Sequence, residues 1–166
     1  FISKMFSWAD QMMFQHPNFP LFNDSVYGQN PAYSQLQSLG EQLGIVRQKL
    51  PLGESDFRKL ELHDFCLIIN CGNINPSYQP GHLHSDMLHF VLYYKDNVVL
   101  VDRGISTYEN NANRLQEKAT ASHNTVCIDT ENQSQLWSAF RMAKRAKIQQ
   151  ISFSNNSLEA RVTWHN

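Results

Sequence analysis

The hydrophobic pattern of this chain changes period near residue 45, and that change limits the fold more than any other feature. Before it, Ile2, Met5, Phe6, Ala9, Met12 and Met13 recur at the spacing of one helix face within residues 1–15. This Met and Phe stripe reads as core packing. His16-Pro17 ends the helix, because proline disfavours helical geometry in the residue before it. Residues 18–25 then form a loop with apolar anchors. Pro31 to Leu43 reads as a second helix, with Pro31 suited to its first turn and Gly40 or Gly44 to its stop. Beyond residue 45 the apolar residues fall into short runs broken by Gly, Asn, Asp and Pro: Phe65–Asn70, Leu88–Tyr94, Val98–Asp102, Thr125–Asp129, Lys147–Phe153 and Leu158–Trp164. Regular short strands with polar turns predict an antiparallel sheet, of the sandwich kind. The chain is therefore expected to be α+β, with helices over 1–44, a linker or first strand over 45–60 and a β domain over 61–166. Tyr94-Lys95-Asp96-Asn97-Val98 is a hairpin signal. Counting outward from it pairs Tyr94 with Val98, Leu92 with Leu100 and Phe90 with Asp102.

A chain of 166 residues, 42% of them hydrophobic, can bury one domain-sized core. The formal net charge is −1. The one basic run, Arg141 to Lys147, reads as a solvated edge, so nucleic acid is not an expected partner. No apolar run is long enough to cross a bilayer. Cys66, Cys71 and Cys127 form no CxxC and read as free thiols. The sequence starts with Phe1 inside a helical pattern and stops just after a strand-like run, which reads as a piece of a longer protein. It contains no GxSxG, Walker loop, HExxH or dinucleotide fingerprint.

The chemistry is concentrated in three segments, Gly81-His82-Leu83-His84-Ser85-Asp86, Leu100-Val101-Asp102-Arg103-Gly104 and Ser122-His123-Asn124-Thr125. In extended chain, His82 and His84 would point to one face. The expected hairpin carries Asp102 to the same edge, and His123 joins them if its strand lies alongside. Two imidazoles and one carboxylate suit zinc, although separate polar residues at strand ends would produce the same sequence. His82 lies one pleat further out, where an imidazole can exchange a proton. Asp86 could orient a neighbouring histidine. His89 falls on the opposite face and reads as a packed histidine. The segment from Ile105 to Ser122 is a long polar loop of the kind that carries function. Within and beside it, Arg114 suits a carboxylate, and Tyr108 and Asn124 suit sugar hydroxyls. Asn23-Asp24-Ser25 reads as an Asx turn or helix cap.

Together these three segments, with Tyr108, Gln133, Trp137, Phe140-Arg141 and the upstream Phe19-Pro20-Leu21-Phe22-Asn23-Asp24-Ser25, resemble the heparinase II/III family of polysaccharide lyases and the related alginate and oligoalginate lyases. The resemblance implies the C-terminal helices of an (α/α) toroid followed by part of an antiparallel β-sandwich. It implies zinc held by His84, Asp102 and His123, with His82 as a catalytic-site residue; Tyr108, Arg114 and Asn124 are placed at the substrate by their residue types. It further implies β-elimination on an acidic, uronic acid-containing polysaccharide, export to the periplasm or beyond, and further catalytic groups before Phe1, without which the fragment is inactive. Two alternatives stand beside the lyase: a non-catalytic carbohydrate-binding or metal-stabilised module, and a metal-dependent glycan hydrolase.

Overall fold

The computed structural model describes residues 1–14, 16–48, 50, 52, 55–154 and 156–164. Two helices, α1 (Ile2–Met12) and α2 (Tyr33–Gln42), precede a four-stranded antiparallel meander of β1 (Phe57–Leu62), β2 (Phe65–Asn70), β3 (Phe90–Tyr94) and β4 (Asn97–Leu100). A short helix, α3 (Ala112–Glu117), follows, and then two hairpins. The first pairs β5 (Leu136–Ser138) with β6 (Arg141–Met142), and the second pairs β7 (Lys147–Ser154) with β8 (Ser157–Thr163). The α+β character expected from the change of period is present.

The helix ends follow local chemistry. Gly44 lies just past the end of α2 at φ +63°, a left-handed conformation that suits glycine in a helix stop. Gly40, the other expected stop, lies inside α2, where a Cβ would fall 3.0 Å from the Phe6 ring of α1. The Met and Phe stripe of α1 enters the core only at its C-terminal end. Met12 and Met13 are buried, whereas Ile2 and Met5 are more than half exposed. Met12 packs with Phe22, Leu52, Cys66, Ile68, Val91 and Tyr93 under the meander, and a second cluster gathers Ile74, Met87, Met142, Ala146 and Ile148.

Three expectations about strands change. β1, whose Arg58, Lys59 and Glu61 hide its period, is a strand at the sheet edge, where charge discourages pairing with other chains. At the β3–β4 turn Tyr94 pairs with Asn97 and Tyr93 with Val98; a bulge between Leu92 and Tyr93 then restores the expected Leu92–Leu100 pair. The run from Thr125 to Asp129 makes only an isolated bridge, Ile128 to Glu131. Asp129 and Thr130 both take positive φ and reverse the chain before a ladder can grow.

Candidate active site

The site is built by four connections and not by strands. Its first wall is the β2–β3 loop. His82 and His84 lie there, ahead of Phe90, where β3 begins. The HxH segment lies outside the strands, with Gly81 and His82 in a turn and Leu83 and His84 following it. The two rings reach one carboxylate, that of Asp24. His82 Nδ1 donates to Asp24 Oδ2 at 2.7 Å, and His84 Nε2 donates to Asp24 Oδ1 at 2.8 Å. The His82 side chain is 63% exposed and that of His84 fully buried. Asn23, at φ +53°, accepts from the His84 backbone N–H at 3.2 Å.

Arg114 comes from α3, whose first turn is capped by Asn111 accepting the Arg114 backbone N–H at 3.0 Å. It was expected at the substrate, but its side chain is 0% exposed and committed to Asp24. Nη2 donates to Oδ2 at 2.8 Å and Nη1 lies 2.6 Å from Oδ1. Burial works to raise the Asp24 carboxyl. Donation from His84, Arg114 and His82 outweighs it and holds the group well below the usual carboxylate range.

The second carboxylate, Asp102, lies two residues past β4 and is buried. Its Oδ1 accepts the Gly104 N–H at 2.6 Å, and its Oδ2 accepts from His123 Nδ1 at 2.6 Å. Gly104 takes φ +65°, and a Cβ there would fall 2.7 Å from the Ser25 carbonyl, so glycine lets the Asp102 loop lie against the Asp24 loop. His89 Nε2 lies 3.0 Å from the same Oδ2. His89, Asp102 and His123 each offer one ligand atom, all within 4.8 Å of one another, and this buried His-Asp-His cluster could bind a metal. The His84 and His123 rings are 5.1 Å apart. Burial lowers the His84 imidazole. It works in the same direction on His123, but the bond to Asp102 and the nearby Asp86 and Asp102 charges reverse it, and the net shift is upward.

Of the remaining expected residues, Tyr108 is half exposed beside His82, with ring centroids 6.0 Å apart. Phe140 lies parallel to Tyr108 at 6.3 Å, and the Arg114 guanidinium lies over both rings. Asn124, expected at a sugar hydroxyl, turns inward. Its Nδ2 donates to the carbonyls of Phe90 and Val101 and ties β3 to the chain leaving β4. Sequence reasoning missed Asp24 and His89. Asp24 carried only a turn signal, 60 residues from His84. His89 was assigned to the far face on a strand alternation that the loop does not have. A cleft of about 1120 Å³ is apolar, lined by Met5, Trp8, Phe19, Phe22 and Leu36 among others, and includes none of these histidines.

Lys118, just past α3, grips the histidine segment from both ends. Its fully buried Nζ donates to the Gly81 carbonyl at 2.7 Å, and its own carbonyl accepts the Ser85 N–H at 2.9 Å. Burial, aided by Arg114, pulls the ammonium down from 10.5 to about 8. Between those two values the unfolded chain binds more protons than the folded one, so this group makes stability rise as pH rises. Lys118→Met is expected to flatten that rise. Urea unfolding of both proteins over a pH series checks it, and parallel stability curves would contradict it.

The loops beside an antiparallel sheet thus gather buried histidines and carboxylates next to an exposed histidine and tyrosine. Residues 46–166 match the heparinase II/III-like C-terminal family, and the chain belongs to that family. No curated protein matches the chain. Among the described residues, no helix is long and apolar enough to cross a membrane.

Proposed function

We propose that this chain is part of a polysaccharide lyase that cleaves a uronic acid-containing glycan by β-elimination. In this reading residues 1–44 are the last helices of an (α/α) toroid and the strands from residue 61 onward are the start of a β-sandwich. The family membership supports the reaction class. The observation that carries the site is the pairing of an exposed His82 with a buried, carboxylate-held set of histidines.

The ligand set we favour for a zinc ion is His84, Asp102 and His123. Among the described residues, His84 Nδ1, His89 Nε2 and His123 Nε2 are all buried nitrogens without a hydrogen-bond partner, and an ion shared with Asp102 would take His123 through Nδ1, in place of the proton that now lies between them. His89 fits less well. Its Nδ1 accepts the Asn124 backbone N–H at 3.1 Å, so its single proton sits on Nε2, facing Asp102. A ring in that state orients the carboxylate and has no lone pair left for a metal. Zinc would supply fixed positive charge behind the His82-His84 segment.

His82 acts as the base on the C5 proton of a 4-linked uronate. The C5–H electrons form the C4=C5 double bond as the C4–O bond breaks, and the leaving oxygen takes a proton from a tyrosine or histidine acid. Tyr108, beside His82, meets the sugar. The reaction also needs stabilisation of negative charge on the substrate carboxylate, and heparan-like, alginate and bacterial surface glycans, met in the periplasm or outside the cell, are the candidate substrates. Incubating the full-length protein with heparan-like, alginate and bacterial surface polysaccharides tests the reading. New ultraviolet absorbance from an unsaturated uronate supports it. A product that has gained water, or binding without product, would overturn it in favour of a hydrolase or a binding module.

A further inference from the structure

We infer that Asp24 sets the proton positions on both histidines of the His82-Leu83-His84 segment, which makes it a positioning residue for the elimination proposed above, the reading on which this inference rests. An ionised carboxylate only accepts hydrogen bonds. Asp24 is held as the anion by Arg114, which approaches both of its oxygens. Each oxygen also faces one imidazole nitrogen, Oδ2 facing His82 Nδ1 and Oδ1 facing His84 Nε2. Both facing nitrogens therefore carry a proton. A neutral imidazole has only one, so the lone pairs are left on His82 Nε2 and on His84 Nδ1.

These two lone pairs serve different sides of the wall. The His82 ring is largely exposed and offers Nε2 to a proton on a bound sugar. The His84 ring is fully buried, and its Nδ1 has no partner among the described residues. One carboxylate thus selects the base form of one ring and the ligand form of the other. The logic is that of the third member of a catalytic triad, applied to two imidazoles at once. Without the carboxylate, His82 is free to place its proton on Nε2, where it cannot act as a base.

The test is nuclear magnetic resonance of the full-length protein, metal-free and at alkaline pH, with ¹⁵N-labelled histidine. The expected spectrum has His82 protonated on Nδ1 and His84 on Nε2. The opposite tautomer on either ring in the parent protein overturns the inference, and this result needs no variant to fold. In Asp24→Asn, His82 is expected to become a mixture of tautomers, and kcat on the polysaccharide should fall about a hundredfold or more with KM nearly unchanged. Unchanged tautomers or an unchanged kcat in that variant would also overturn it. A parent protein that shows the expected tautomers but makes no unsaturated product would sink the lyase reading and leave the proton placement standing.

Discussion

Replacement of His82 by alanine in the full-length protein is expected to lower turnover by about 10²- to 10⁴-fold, the range for loss of a general base, with little loss of fold. The second half of that expectation comes from exposure. The His82 side chain is 63% exposed and hydrogen-bonds to Asp24. Removing it leaves Asp24 with His84 and Arg114 still in place, so no buried charge is stranded. Product absorbance measures the turnover and circular dichroism with thermal melting measures the fold. Turnover retained in a folded variant would reject His82 as the base.

Substitution of the inner set should behave in the opposite way, with structure and metal lost together. Asp102 is buried and holds the Gly104 N–H and His123 Nδ1, with His89 Nε2 against the same oxygen. Asp102→Ala leaves those donors facing a void, and loss of one partner from a buried pair costs about 3–5 kcal/mol. Bound metal should fall to background by elemental analysis as the melting temperature falls. His84→Ala should lose the metal as well. His89→Gln separates the two candidate ligand sets. It should weaken metal binding by about 10- to 100-fold, as loss of an orienting neighbour does, without abolishing it. Full metal content in His84→Ala, or none in His89→Gln, would move the third ligand from His84 to His89.

The extent to which this site could be read in advance differs from residue to residue. β2 was legible to its ends, Phe65 to Asn70, because a buried central strand shows as an unbroken apolar run. β1 was legible only as a linker or first strand over 45–60, because an edge strand carries charge that masks its period. α3 lay within what read as a polar loop, although Asn111 in front of Arg114 was an available capping signal. Asp102 and His123 were named from the sequence and do meet, with 2.6 Å between carboxylate and ring. His82 and His84 do converge, on the carboxylate of Asp24, from a loop and not from a strand.

The sequence by itself determined the change from helix to sheet, the inventory of imidazoles and carboxylates, and the family. Periodicity and short motifs are local properties, written within a few residues of one another. Only the tertiary structure decided that Asp24 stands between His82 and His84, that Arg114 is buried behind it, and that His89 turns toward Asp102. Those contacts join loops that are distant along the chain, and a loop has no period from which its side-chain directions can be counted.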